Sequence, residues 1–199
     1  LFSTSLSQSD YHQTVVGAAQ SYEYSGESKL INADLSRVIY RDAHRKTTTS
    51  FGGWVRESKN FIEDVEVEVQ RRKTAGWQAN LAHTEYLQNA TLNGSVTYKR
   101  GTGAHSAMRA PEEDFGEAYT HVGIWQGNAS LQVPFKAGNQ NLQYLAEWRM
   151  QHSQKPLTPQ DRFSIGNRYT VRGFDGEQTL MADNGFLVRN EFSGSISKL

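Results

Sequence analysis

The chain has 199 residues with 21 Lys+Arg against 21 Asp+Glu, so it carries no net charge with histidine neutral. That removes any electrostatic basis for binding nucleic acid or an anionic membrane surface, and the length holds one domain or two small ones. No cysteine is present, which excludes disulfide frameworks, thiolate zinc sites and cysteine nucleophiles, and no apolar run approaches the ~20 residues of a membrane-spanning helix.

Taken from its start, the chain opens directly into a strand-like stretch, LFSTSLSQSD. The expectation is an interior piece of a longer polypeptide. Period-two patterning then predicts strands over about 1–17, 21–41, 47–59, 65–86, 90–101, 118–135, 141–153 and 184–197. GWQANLAHT sets Trp77, Ala79 and Leu81 against Gln78, Asn80 and Ala82. ATLNGSVTYK sets Leu92, Gly94, Val96 and Tyr98 against Asn93, Ser95, Thr97 and Lys99. WQGNASLQVPF sets Trp125, Gly127, Ala129, Leu131, Val133 and Phe135 against Gln126, Asn128, Ser130 and Gln132. In NLQYLAEWRM the apolar set is Leu142, Tyr144, Ala146, Trp148 and Met150, with Leu145 as the exception. Alternation of this kind puts each strand's apolar side chains on one side of a sheet.

The connections differ from one end to the other. Residues 42–46, 87–90 and 136–141 are short and polar, whereas 100–117 and roughly Pro156 to Asp183 are long. Short turns on one side and long loops on the other are the layout of an all-β, antiparallel up-and-down transmembrane barrel. The strands exceed the ordinary five or six residues, and Trp77, Tyr98, Trp125, Phe135, Tyr144 and Trp148 stand where an interfacial girdle would need them. Asp34, Lys99, Glu147, Arg149, Arg189 and Glu191 fall on the polar side, which suits a wet lumen rather than a dry core. A soluble β-sandwich shows the same alternation; strand length and loop asymmetry favour the membrane.

No catalytic arrangement emerges. The six histidines show no metal-ligand spacing, no GxSxG elbow is present, and RGTGAHS lacks a phosphate-loop lysine. Glu112, Glu113 and Asp114 are read as a solvated loop rather than a divalent-cation site. The expectation is a protein without enzyme activity, cofactor or metal.

The long stretch LTPQDRFSIGNRYTVRGFDGE, followed by NGFLVRNEFS, resembles the outer-membrane transporters of two-partner secretion, the haemolysin activation/secretion family of the Omp85 superfamily. SRVIYRDAHRKTTTS, NFIEDVEVEVQRRKTAGW and APEEDFGEAYT look like strands and loops of the same family. The resemblance covers essentially the whole chain. It implies about strands five to twelve of a sixteen-stranded translocation barrel in the outer membrane of a Gram-negative bacterium. Periplasmic POTRA domains and a plug helix would lie outside this chain. It further implies that the loop near 155–183 folds back into the pore with Val171, Arg172, Gly173 and Phe174 as its tip. From Phe174 to the next strand is about ten residues, so at ~3.3 Å each the tip reaches ~30 Å inward, against an apolar band ~25 Å tall. Arg172 would seek a bidentate carboxylate. The resemblance puts its main acidic partner beyond Leu199, and within this chain Glu147 and Glu191 are the candidates. By the same resemblance the partners are a secreted exoprotein (haemolysin, adhesin or contact-inhibition toxin) and outer-membrane lipid; a monomeric state without nucleic acid is the further expectation. A barrel-inserting Omp85 sister and a soluble ligand-binding β-domain stand as alternatives.

Overall fold

The computed structural model describes residues 1–16, 21–166, 170–171 and 179–194. Its elements in chain order are strands β1 (Phe2–Val16), β2 (Ser21–Arg41), β3 (Arg45–Ile62), β4 (Val65–Glu66), β5 (Arg72–Leu87) and β6 (Ala90–Thr102). They continue with β7 (Gly123–Ala137), β8 (Gln140–Ser153), β9 (Phe163–Ile165), β10 (Leu180–Ala182) and β11 (Gly185–Gly194). One antiparallel sheet runs in the order β1-β2-β3-β5-β6-β7-β8-β11, each long strand bonded to the next in sequence. The small β4 pairs back onto β3, and β9 pairs with β10 as a separate hairpin.

Residues 42–44, 88–89 and 138–139 turn the chain at one end of the sheet. At the first of these, Asp42 Oδ1 accepts the backbone N–H groups of both His44 and Arg45 at 2.7 Å. Tyr40 Oη donates to Asp42 Oδ2 at 2.6 Å, and that bond, with the two backbone donors, holds the Asp42 carboxyl below its ordinary range. At the third turn, Gly138 takes φ +59°, the left-handed backbone a tight hairpin requires.

The strand expected over 65–86 is interrupted. Glu63 and Asp64 both adopt positive φ, the signature of a two-residue hairpin turn, and fold Val65–Glu66 back against Phe61 and Ile62. A 3₁₀ turn at Glu68–Gln70 then resets the chain before β5 begins at Arg72. The Val-Glu alternation there marks no buried face, because Val65 and Val69 are exposed. Likewise the strand expected from 118 starts only at Gly123, and Ala118–Val122 packs irregularly instead.

Register decides the two faces. One row reads Asn80, Thr97, Gln126, Gln151 across β5 to β8, and another reads Thr84, Asn93, Ser130, Glu147, Arg189 across β5 to β11. These side chains bond laterally: Asn80 Nδ2 donates to Thr97 Oγ1 at 2.8 Å and Gln126 Nε2 to Gln151 Oε1 at 2.9 Å. The opposite face carries the row Leu81, Val96, Gly127, Met150, Phe186. Among the described residues no second layer covers it: Leu81, Val96 and Met150 are each 51% exposed and Phe186 66%. So continuous an apolar face is untenable in water but ordinary against acyl chains.

Two aromatic bands border this face. Toward the long loops, Phe51, Trp77, Tyr98 and Trp125 form a chain of rings with centroid spacings of 5.8, 5.5 and 4.8 Å. Toward the short turns, Tyr144 and Phe192 lie 4.9 Å apart, and Phe135 pairs with Leu142. Trp125 and Phe135 stand ten residues apart on β7. That is roughly 33 Å along the strand, or ~25 Å of height at a ~40° tilt, the apolar band of an outer-membrane barrel. Trp148, expected in a girdle, instead pairs with Ala129 and Val188 in the middle of the belt.

Arginine at Val96 should therefore lower the unfolding free energy of the barrel in bilayers by about 2–4 kcal/mol. Lysine at Ser95, one residue along on the polar face, should cost less than ~1 kcal/mol; chemical denaturation in vesicles reads both.

Candidate functional site

The connection between β8 and β11 is the longest in the chain, and its first part lies across the polar face. Pro159–Asp161 forms a 3₁₀ turn that lowers Asp161 into a cluster on β3 and β6. Asp161 Oδ1 lies 3.4 Å from Arg56 Nη1 and 3.8 Å from Lys99 Nζ, with all three side chains at most 20% exposed. Both cations also face the buried Trp54 ring, Lys99 Nζ at 5.1 Å and Arg56 at 5.9 Å from its centroid. Two cations held this close repel each other, and the Asp161 carboxylate offsets that repulsion.

Neutral contacts extend the dock. Gln151 Nε2 donates to the Asp161 carbonyl at 2.8 Å, and Gln160 Nε2 donates to Ser58 Oγ at 2.8 Å. Phe163 is buried, with the Arg149 guanidinium 5.4 Å from its ring centroid. Its ring rests on Gly185, where a Cβ would come within 2.1 Å of Phe163 Cδ1, so the loop reaches the wall only because residue 185 has no side chain. At the returning end, Asp183 Oδ1 accepts the Leu157 N–H at 2.8 Å and faces Arg162 Nε at 3.3 Å. Asn184 Oδ1 accepts the Ser153 N–H at 2.6 Å. These bonds tie the two ends of the loop together. The short β9–β10 hairpin continues inside what the sequence presents as an aperiodic stretch.

The loop between β6 and β7 braces this base. Tyr119 bridges to Leu157 in parallel and its N–H donates to the Pro156 carbonyl at 3.0 Å. Val122, Ile124 and Leu157, flanked by Tyr119, form a small apolar core. Glu112 pairs with Arg72, Glu113 lies 3.9 Å from Arg109, and the Met108 N–H donates to the Lys73 carbonyl at 2.7 Å. Glu112 and Glu113 of the acidic run thus meet arginines. Among the described residues no group of three or more acidic or histidine side chains is placed to hold a metal ion.

Of the expected tip, Val171 is described and partly buried, next to Thr170, whose Oγ1 accepts the Gly166 N–H at 3.0 Å. Arg172, Gly173 and Phe174 lie outside the described residues. Glu147 and Glu191 both stand on the polar face of β8 and β11, with Arg189 between them: Arg189 pairs with Glu147, and its Nε lies 3.5 Å from Glu191 Oε1. Sequence reasoning overlooked Asp161, Asp183, Arg56 and Trp54. The usable signal was LTPQDRF, where Asp161 follows a proline in a stretch that also carries the family resemblance.

The sequence profile of the haemolysin secretion/activation protein family ShlB/FhaC/HecB matches residues 1–198. The chain belongs to this family. Among curated relatives it is 28% identical to the outer membrane transporter CdiB-2 of Burkholderia pseudomallei, a match covering 96% of this chain and 32% of that protein. It is 27% identical to the outer membrane transporter CdiB of Escherichia coli, over 97% of this chain and 32% of that one. Among solved structures, CdiB from Acinetobacter baumannii superposes with a TM-score of 0.84 at 35% identity, covering 98% of this chain and 34% of that one. CdiB from Escherichia coli superposes with a TM-score of 0.89 at 25% identity, over 100% and 36%. The chain spans about a third of the length of the curated relatives it matches. Its sheet is a half-barrel of an outer-membrane protein of this family, which sets the soluble β-domain aside.

Two outcomes test the docked loop. Asp161→Asn leaves Arg56 and Lys99 without their carboxylate, a loss of ~3 kcal/mol for a mostly buried pair; limited trypsin digestion should cleave after Arg162 several-fold faster. The hydrogen bond from Arg72 holds the Glu112 carboxyl below its ordinary range. The stabilisation is therefore complete above the unfolded value of ~4.3 and is lost as pH falls through the lower folded one. The protection of the Met108 amide, taken as its intrinsic exchange rate divided by the observed one at each pH, should fall on acidification from ~pH 7 to ~pH 3, and Glu112→Gln should remove most of that pH dependence.

Proposed function

We propose that the intact protein is an outer-membrane pore that secretes a large exoprotein, of the haemolysin, adhesin or contact-inhibition toxin kind, by two-partner secretion. Family membership supports the class. The observation that carries the reading is the loop base at Leu157–Ile165, bonded across the polar wall through Asp161, Gln160, Gln151 and Phe163. A loop held there obstructs a water-filled conduit and has to give way when a polypeptide passes.

In this reading the wall is a polar, hydrogen-bonding track that an extended chain crosses without strong adhesion. The loop is a plug with a fixed base and a displaceable tip at Val171, Arg172, Gly173 and Phe174. Arg172 is the tip's electrostatic latch. Its carboxylate partners come from the pore wall, with Glu147 and Glu191 as the candidates within this chain. No nucleotide is available at the outer membrane, so transport draws on the passenger folding outside. The protein acts as a monomeric conduit in outer-membrane lipid and performs no covalent chemistry; its partner is the passenger's N-terminal secretion segment.

Arg172→Ala in the intact transporter is expected to reduce passenger in the culture medium about tenfold, while the barrel remains heat-modifiable on gels and present in the outer membrane. Wild-type secretion by that variant would refute the latch.

A further inference from the structure

Halfway down the apolar face the wall loses its side chains. Gly94 on β6 pairs with Ala129 on β7, and a Cβ built at Gly94 meets nothing within 4 Å. The hollow that results has a volume of about 380 Å³ and is bordered by Leu81, Val96, Trp148, Met150 and Phe186. Trp148 borders this shallow hollow because it stands in mid-belt, four residues from Tyr144 and four from His152 on β8. A tryptophan ordinarily gains most at the membrane interface; here its ring forms one side of a recess.

The rim toward the short turns is polar although it faces outward. His83 borders the hollow, with its Nδ1 2.8 Å from Thr47 Oγ1 and its Nε2 3.3 Å from Glu85 Oε2. Arg45 Nε donates to Glu85 Oε1 at 2.9 Å. An adjacent cation and anion, joined to the rim of an apolar recess through His83, match a ligand with an apolar tail and a head carrying both charges.

We propose that this hollow seats one acyl chain of a zwitterionic aminophospholipid from the leaflet on the short-turn side. Its phosphate lies at Arg45 and its ammonium at Glu85. The dimensions agree. From Glu85 to Ala79 on β5 is six residues, roughly 20 Å along the strand and ~15 Å of depth at a ~40° tilt, which is half of a ~30 Å hydrocarbon core. The aromatic row of Tyr98 and Trp125 closes the far end. The short turns of such barrels face the periplasm and the long loops the exterior, so the recess opens to the inner leaflet. The occupant follows from the charges: an anionic head would meet Glu85 with like charge, whereas a phosphoethanolamine satisfies both partners.

The test is native mass spectrometry of the full-length transporter, washed in mild detergent with an equimolar mixture of phosphatidylethanolamine and phosphatidylglycerol. Wild type should retain one phosphatidylethanolamine per protein. Gly94→Leu, whose Cβ meets no atom within 4 Å and whose side chain occupies the hollow, should lower that occupancy about tenfold. Glu85→Gln should shift retention toward phosphatidylglycerol. If Gly94→Leu does not yield a heat-modifiable barrel, Ala129→Leu fills the same space and takes its place. Equal retention in wild type and the filled variant overturns the proposal. So does a retained lipopolysaccharide, or a second copy of the protein where the lipid should be.

Discussion

A backbone crossing hydrocarbon has no water to bond to, so every N–H and C=O must be satisfied by a neighbouring strand. That constraint organises the chain. Each long strand is bonded to its sequence neighbour, and the wall is one layer thick. A one-layer wall has no interior, so each strand is sorted by two solvents at once: alternate residues meet lipid, and those between them meet water or a docked loop. The apolar core recorded for the described residues is accordingly small and lies where no lipid reaches, among Val122, Ile124 and Leu157 at the loop end.

The wet face is where a polar wall can hold something reversibly. The loop base is attached by one ionic cluster at Asp161, several amide bonds and the Phe163 ring on Gly185, rather than by a broad apolar seam. Contacts of this type are individually modest, because water competes for them. They add up to a fixed attachment only where many act together, as they do from Leu157 to Ile165. A plug built this way can be firm at its root while its far end is governed by a different set of charges.

Polar groups on the two faces are handled differently. On the water side, Arg189 lies between Glu147 and Glu191, and Arg149 covers Phe163. On the lipid side, His83, Glu85, Arg45 and Thr47 are linked by hydrogen bonds toward the short-turn ends of β3 and β5. The same sheet therefore presents a polar track inside and, on its outer face, a polar cluster that borders the recess at Gly94 through His83.

The sequence alone determined the alternation, the eight long strands, the contrast between short turns and long loops, and through its VRGF stretch the family. These are local properties: a period of two is written in consecutive side chains, and a loop's length is a count. The tertiary structure decided what depends on register and on distant partners. Asp161 meets Arg56 across 105 positions. Trp148 sits in mid-belt because β8 pairs with β7 in one register and no other. The Val-Glu run after Asp64 breaks because two positive-φ residues turn it back on β3 before its alternation can count. In each case the outcome was set by a sum of small cross-strand and loop-to-wall terms that no window of neighbouring residues contains.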